Sequence, residues 1–422
     1  MSLFSKSKNQ FVKNVITLMT GTSIAQAIPI ALSPILTRIY SPEDFGLFAL
    51  YMGLASVLIV ISTGRYELAI MLPEKESEAA DIVKLSTLLA FIFSFITFVV
   101  IIFFGKEISI LLGNEEIHFW LFLLPISLFV NGSYQSLNYW FNRKKDFKRL
   151  AKNRVMQSSI TGFSQTSLGI LQAGGFGLLF GTLLGQALTL GSLVKKILTF
   201  DFGYFQDFEL VKIIGLAKRF INFPKFDVPT TLLNVGAMHA PNILFSSFFS
   251  GSYAGFYYLT QRVLQAPITL ISTSVLDVFK EEASKTYRNS GQAKSIFLKT
   301  FKWLLIISIV PSIILFFTIQ DLFSWIFGAD WEIAGEYSKI MIPALSIRFI
   351  ANPLSFMIYI AEKQIWNLVT MIGLALGVFV SFYFSDDHYQ VISNISITYV
   401  CYYLTHLFLG ALFAGVFRAS KQ

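Results

Sequence analysis

The chain is poor in charge. Only 14% of its 422 residues are Asp, Glu, Lys or Arg, where an ordinary soluble protein carries roughly 25%. That is too little to solvate a globular surface. Cysteine is nearly missing, with Cys401 alone, and histidine occurs four times. These counts argue against a disulfide framework and against a Cys/His metal site. No glycine-rich phosphate loop follows a strand pattern, so a nucleotide-binding half and ATP hydrolysis within the chain are not expected. No cofactor and no nucleic-acid partner is expected either. If the protein moves something, the energy comes from an ion gradient or from the substrate's own gradient.

Apolar residues are what the chain has in plenty: 54% of the total, including 44 Phe, with a mean hydropathy of +0.63. A helix needs roughly 20 apolar residues to cross the hydrocarbon core. Stretches of that size lie at 14–37, 45–64, 84–104, 118–140, 155–173, 175–195, 226–250, 254–276, 299–320, 338–361, 365–385 and 391–417. The fold class this implies is an all-α integral membrane protein of about twelve transmembrane helices. The fifth and sixth stretches are parted only by Ala173-Gly174-Gly175 and suit a hairpin. The first has a second reading as a signal peptide, with Lys6, Lys8 and Lys13 upstream and a cleavage-like Ala25-Gln26-Ala27. Its apolar run continues through Leu36, which favours a span.

The charges give the orientation. With both termini on one side, 28 of the 33 Lys and Arg residues fall on that side. Three, Arg38, Lys106 and Lys339, fall on the other, and Arg262 and Arg348 lie within spans. Basic loops stay in the cytoplasm, so both termini are expected there. The net charge of +8 then faces anionic lipid heads. The run 143-RKKDFKR-149 reads as a determinant of this topology, with direct contact to a lipid-phosphate substrate as the alternative.

The longest connection too polar to span, 196–225, follows the sixth helix. It suggests two lobes, 1–210 and 211–422, that pair helices one to six with seven to twelve. A faint echo supports the repeat: 40-YSPEDFGLFAL-50 aligns with 249-FSGSYAGFYYL-259, each between the first two helices of its half. Internal repeats are typical of transporters. Nine of the twelve prolines fall within spans, and each removes a helical hydrogen bond. Pro29 and Pro34, five apart in the first helix, are candidate hinges; the alternative is that proline is simply commoner in membrane helices.

A few polar residues lie at depth. Arg262 is roughly 13 Å into the eighth helix and Arg348 roughly 15 Å into the tenth. An arginine there costs at least ~2.5 kcal/mol to insert and should face water or a partner. Arg348, Asn352, Ser355 and Tyr359 form one stripe. Tyr258, Gln261, Arg262 and Gln265 form another, and Gln26 lies mid-span in the first helix. No carboxylate occurs at the depth of the two arginines, since Glu67 and Asp277 lie near cytoplasmic ends. The arginines therefore suit an anion, and phosphate above all, whose oxygens a guanidinium binds two at a time. Pairing with helix carbonyls is the other reading. Asn and Gln faces also serve interhelical hydrogen bonding. Arg65, in 63-TGRYELAIMLP-73, could meet a lipid pyrophosphate or act as an interfacial anchor beside Tyr66. Glu67, Asp227, Asp277 and His239 are candidates for ion coupling, although a lone histidine is commonly a satisfied polar group.

The segment 36-LTRIYSPEDFGLFALY-51, followed by TGRYELAIMLP, resembles the Wzx-type flippases of O-antigen and other surface polysaccharides. These form part of the polysaccharide-transport branch of the multidrug/oligosaccharidyl-lipid/polysaccharide exporter superfamily. The segments 137-LNYWFNRKKDFKRLAKNRV-155, GFGLLFGTLLGQ (175–186) and FPKFDVPTTLLN (223–234) are similar to that family too. The resemblance implies two six-helix lobes around a central cavity and no enzymatic activity. It implies an undecaprenyl-pyrophosphate-linked oligosaccharide as substrate and ion-gradient coupling. Its implied partners are that lipid-linked substrate, membrane lipids, and a downstream polymerase with its chain-length regulator, at the bacterial inner membrane. Cationic residues lining such cavities fall on helices one, two, seven and eight. Arg262 fits that placement and Arg65 fits loosely; Arg348 rests on the residue argument alone.

Two rivals stand beside this reading. A lipid-linked peptidoglycan-precursor flippase would usually carry further C-terminal helices. A membrane polysaccharide polymerase or ligase, a different class, would need a large outer loop with catalytic residues. The longest outer loops here, 105–117 and 321–337, are short.

Overall fold

A computed structural model of the chain describes residues 2–417; the side chains of residues 2–16, 267, 269, 270, 273, 274 and 277 lie outside the description. Among the described residues there is no strand. Twelve helices of 19 to 40 residues follow one another: α1 (Ser2–Ile39), α2 (Pro42–Ser62), α3 (Glu76–Leu111), α4 (Leu124–Arg143), α5 (Phe147–Ile170), α6 (Gly175–Lys196), α7 (Val228–Phe248), α8 (Gly251–Ser290), α9 (Lys294–Phe327), α10 (Glu332–Leu354), α11 (Ile365–Tyr383) and α12 (His388–Phe413). The shortest is about 28 Å long at 1.5 Å per residue, close to one hydrocarbon thickness.

The surface identifies the solvent. α3 exposes Phe91, Phe95, Phe103 and Leu111, and α9 exposes Trp303, Ile306, Phe317 and Trp325. Apolar faces of this extent would aggregate in water and are at home in lipid. Among the described residues nine helical segments carry a run apolar enough to cross a membrane. α5 and α7 fall short of that measure for a visible reason: α5 opens with Lys148, Arg149, Lys152 and Arg154, and α7 carries Asn234, His239 and Asn242.

By internal packing the chain divides into Met1–Gly255 and Phe256–Gln422. In the first unit, α5 and α6 form the hairpin expected from Ala173-Gly174-Gly175. The turn takes Gln172 and Gly174 into the left-handed region, at φ 57° and 56°. Buried Gln165 locks the pair: its Nε2 donates to the Leu178 carbonyl at 2.9 Å and to Thr182 Oγ1 at 3.0 Å. The Tyr40 hydroxyl donates to the Gln165 carbonyl at 2.6 Å.

The block 41-SPED-44 is a helix start. Asp44 N–H donates to Ser41 Oγ at 3.2 Å, and Ser41 N–H donates back to Asp44 Oδ2 at 3.0 Å, with Pro42 in the first turn. This reciprocal box satisfies two donors that a helix N-terminus leaves open. Next to it, Gly46 and Gly255 allow a close crossing. A Cβ on Gly46 would stand 1.7 Å from the Gly251 carbonyl oxygen, and one on Gly255 would stand 2.1 Å from that of Pro42. In the sequence echo, 46 aligns with 255 and 42 with 251, so the two segments meet reciprocally.

α1 runs as one helix through Pro29 and Pro34. The Ser33 hydroxyl donates to the Pro29 carbonyl at 2.7 Å and the Thr37 hydroxyl to that of Pro34 at 3.3 Å. Pro125 and Pro229 occupy the first turns of α4 and α7, where the missing N–H has no helical partner to lose. Those two prolines mark starts rather than kinks. Between α6 and α7 a short helix, Leu210–Arg219, buries Ile213 and Leu216 and exposes Leu210, Val211 and Ile214. It is fastened by the Tyr66 hydroxyl donating to the Ala217 carbonyl at 2.9 Å and by an Arg219–Glu78 pair at 3.1 Å.

In the second unit α10 ends at Leu354, just after Pro353, and a short helix follows at Met357–Ile360. The stripe expected on one helix is therefore interrupted: Arg348 and Asn352 share α10, while Ser355 and Tyr359 lie past its end. Phe279, Phe297, Leu304, Phe349, Leu354 and Met357 form the buried core of this unit.

Candidate functional site

Two polar clusters stand out, one in each unit. The first begins where α2 ends. Gly64 and Arg65 both take left-handed backbone, at φ 58° and 61°. For Arg65 this costs of order 1–3 kcal/mol and persists only where its surroundings enforce it. A 3-10 turn, Tyr66–Met71, follows. The tight reversal sets Arg65 against two carboxylates. Its NH1 lies 3.2 Å from Glu67 Oε1, and its Nε donates to Asp227 Oδ2 at 2.7 Å. Asp227 arrives from the far end of the unit's sequence, on a turn of π-helix that leads into α7.

Glu67 is 1% exposed. Thr63 donates its hydroxyl to Glu67 Oε2 at 2.6 Å. Burial pushes the Glu67 carboxyl above its ordinary value, and Asp227 adds to that; Thr63 and the Arg65 charge pull the other way. With both carboxylates ionised the trio carries a net negative charge. One proton on Glu67 makes it neutral. Asn222, Phe223, Phe226, Asp227 and Thr230 line an adjoining groove of about 380 Å³, so Asp227 is the wet edge of the cluster and Glu67 its dry one.

The sequence placed Arg65, Glu67 and Asp227 at the cytoplasmic ends of their helices without joining them, and the structure joins them. Three members of the basic run 143–149 are paired within the protein, while Lys145 and Lys148 are exposed. Arg143 and Lys144 lie 3.2 and 3.0 Å from the Glu76 carboxylate, and Arg149 pairs with Asp146 at 2.8 Å.

The second cluster joins α8, α10 and α12. The Gln265 side-chain amide donates to that of Gln261. Gln261 Nε2 donates to the Tyr257 hydroxyl at 2.9 Å, which lies 3.3 Å from the Tyr399 hydroxyl. The Tyr399 ring stands 6.2 Å from that of Tyr403, and the Arg348 guanidinium carbon lies 6.0 Å from the Tyr403 ring centre. Arg348 is half-buried. Its Nε is buried without a hydrogen-bond partner, and among the described residues no carboxylate lies within ion-pair distance of it. Three predicted residues, Arg348, Gln261 and Gln265, are thus brought into one network. The tyrosines that connect them went unread, although 399-YVCYY-403 was a signal for them.

Other candidates stand apart. Arg262 is half-buried and engaged within the protein. Asn352 is half-buried on α10 but has no side-chain part in the network. Gln26 is exposed on α1. His239 is half-buried, with its Cβ packed toward Gly53 of α2. The side chain of Asp277 lies outside the described residues.

Long apolar helices facing outward and small polar networks held inside define a multi-pass membrane protein. The chain belongs to the polysaccharide biosynthesis protein family, whose family model matches residues 35–336. No curated protein matches it by sequence. Among solved structures it is similar to the lipid II flippase MurJ in an inward closed conformation (TM-score 0.70, 16% identity, 92% of this chain and 87% of that one). It is also similar to a MATE-family multidrug resistance transporter of the MOP superfamily, inward-facing (TM-score 0.67, 12% identity, 96% of each chain). A third is a MOP superfamily transporter from Pyrococcus furiosus (TM-score 0.60, 15% identity, 96% and 97%). At these identities the likeness is one of fold, which this chain shares with those transporters and that flippase.

Proposed function

We propose that the chain is a flippase for an undecaprenyl-pyrophosphate-linked oligosaccharide, the repeat unit of O-antigen or another surface polysaccharide. It carries the head group from the cytoplasmic to the periplasmic leaflet of the bacterial inner membrane, both termini being cytoplasmic. Arg348 carries this reading: a guanidinium in mid-span with no carboxylate partner among the described residues, in a chain of the polysaccharide biosynthesis family with the exporter fold. An arginine at mid-span is costly, and an anionic head group would give the buried Nε of Arg348 the partner it lacks. A cationic-drug exporter would place carboxylates at that spot. MurJ, a lipid II flippase of similar fold, keeps a peptidoglycan-precursor substrate as the second reading.

Arg65, Glu67 and Asp227 are the coupling site in this proposal. Their charge changes with one proton on Glu67, and an ion can drive transport only by binding two conformations unequally. Pro29 and Pro34, in the unbroken α1, are the bending points. A polymerase and chain-length regulator would act next on the exported unit.

The test is complementation of a strain that lacks a known polysaccharide flippase. The chain should restore surface polysaccharide on a gel. Arg262→Ala and Arg348→Ala, at normal protein levels, should lose it and accumulate the lipid-linked unit. Wild-type failure, or full polysaccharide in both variants, contradicts the proposal.

A further inference from the structure

The stretch that joins α6 to α7, residues 195–226, is basic and aromatic at once. It holds six Lys and Arg against three Asp and Glu, with seven Phe. Its inner side is pinned to the first unit. Trp140 Nε1 donates to Asp201 Oδ2 at 3.1 Å, the Trp140 and Phe205 rings stand 5.2 Å apart, and the Lys84 ammonium donates to the Asp207 carbonyl. The helix Leu210–Arg219 adds the Tyr66–Ala217 bond and the Arg219–Glu78 pair, with Ile213 and Leu216 buried. The outer side has no such cover. Leu210, Ile214 and Lys218 recur at every fourth position, which is one face of a helix, and Val211 beside them is 84% exposed. Phe200 and Phe208 before the helix and Phe226 after it are exposed too. Lys196 Nζ lies 4.5 Å from the Phe200 ring centre, and Lys225 Nζ lies 5.2 Å from that of Phe226. Among the described residues, Lys195, Lys196, Lys218 and Lys225 have no carboxylate within ion-pair distance.

Two observations say what covers this side. First, it continues a lipid-facing surface: Val194 at the end of the spanning α6 and Leu198 just beyond it are exposed apolar residues that lead straight into Phe200. Second, its charge is of one sign, since Glu209 is taken by Lys212 at 2.7 Å and Asp201 by Trp140. A helix with an apolar side and lysines along it lies in the plane of a bilayer interface, where acyl chains take the apolar side chains and the ammonium groups reach up to the heads. Lysines held there are attracted to anionic lipid. We propose that the outer face of 195–226 is seated in the membrane interface and binds the phosphate heads of anionic phospholipids through Lys195, Lys196, Lys218 and Lys225. Leu210, Val211, Ile214 and the exposed phenylalanines hold it at that depth. This surface is independent of what the chain transports, since none of its residues belongs to either polar cluster.

The experiment uses the purified full chain with Ile214→Cys in a Cys401→Ser background, labelled with the environment-sensitive fluorophore NBD. It is placed in nanodiscs of phosphatidylcholine and phosphatidylglycerol in equal parts, with a nitroxide on the acyl chain of one lipid or the other. The label should emit as in an apolar medium and be quenched by both lipids. Nitroxide-bearing phosphatidylglycerol should quench about twofold more strongly than nitroxide-bearing phosphatidylcholine, because the lysines gather anionic heads around the label. Lys218→Gln together with Lys225→Gln should bring the two lipids level, and so should high salt, which screens the attraction. Val211→Cys, labelled in the same way, gives the answer if Ile214→Cys does not fold. A label that emits as in water and is not quenched overturns the proposal. A label shielded in native membrane vesicles but not in nanodiscs overturns it in favour of a protein partner. Equal quenching by the two lipids, or a preference that survives both the double variant and high salt, overturns the recognition of anionic heads.

Discussion

At Arg65 one guanidinium serves two carboxylates, and this single residue carries most of the charge logic of the first unit. Removing it strands Glu67, buried at 1% exposure, without its cation. Arg65→Ala should therefore destabilise the protein by about 1–3 kcal/mol, more at pH 8 than at pH 5, because the stranded carboxyl escapes the cost by taking a proton. The double variant with Glu67→Gln should recover much of the loss in thermal unfolding, as expected for residues in one network. Glu67→Gln alone tests the sign of the burial effect. The folded-state carboxyl sits above its ordinary value, so on raising the pH the unfolded chain releases its proton first. Stability should fall through that window, and the Gln variant should flatten the fall. Ser41 belongs at this scale too: Ser41→Ala breaks the box that starts α2 and should cost about 1 kcal/mol.

Among the elements, the crossing of α2 with the start of α8 is the least tolerant point. A methyl group at Gly46 or Gly255 would meet backbone oxygen at 1.7 or 2.1 Å, and backbone cannot step aside as a flexible side chain can. Gly46→Leu should abolish folded expression, while Gly191→Leu, which has open space, should leave it intact; size-exclusion profiles in detergent separate the two. This scale also shows what was legible from sequence. Helix positions were readable because lipid demands about twenty apolar residues in a row, and α5 and α6 read less clearly because only Ala173-Gly174-Gly175 parts them. The Gln261–Gln265 spacing pointed to one face since four residues make about one turn. The tyrosines of α12 were not tied to that face, because their meeting depends on how α8, α10 and α12 pack. Asp227 likewise lies 162 residues from Arg65, a separation that no local pattern bridges. Pro353 was read as one more kink, yet α10 ends beside it and the Arg348 stripe is cut.

At the scale of the molecule, composition already pointed to a membrane protein, and the charge bias suggested an orientation. The orientation is itself a prediction. A cysteine placed at Lys148, in a Cys401→Ser background, should react with a membrane-impermeant maleimide only after the cytoplasmic side is opened, and one at Lys106 should react in intact spheroplasts. The family is that of polysaccharide biosynthesis proteins and the fold is shared with membrane transporters; the proposed function adds to these a saccharide-bearing, anionic substrate. Transport is the property on which all of this depends. The most direct measurement is flipping in liposomes: the purified chain is reconstituted with a fluorescent undecaprenyl-pyrophosphate oligosaccharide, and a membrane-impermeant quencher reports the outer-leaflet fraction. The account predicts that the chain exposes the inner-leaflet pool to quencher and that Arg348→Ala does not; protein-free and wild-type liposomes quenching alike would contradict it.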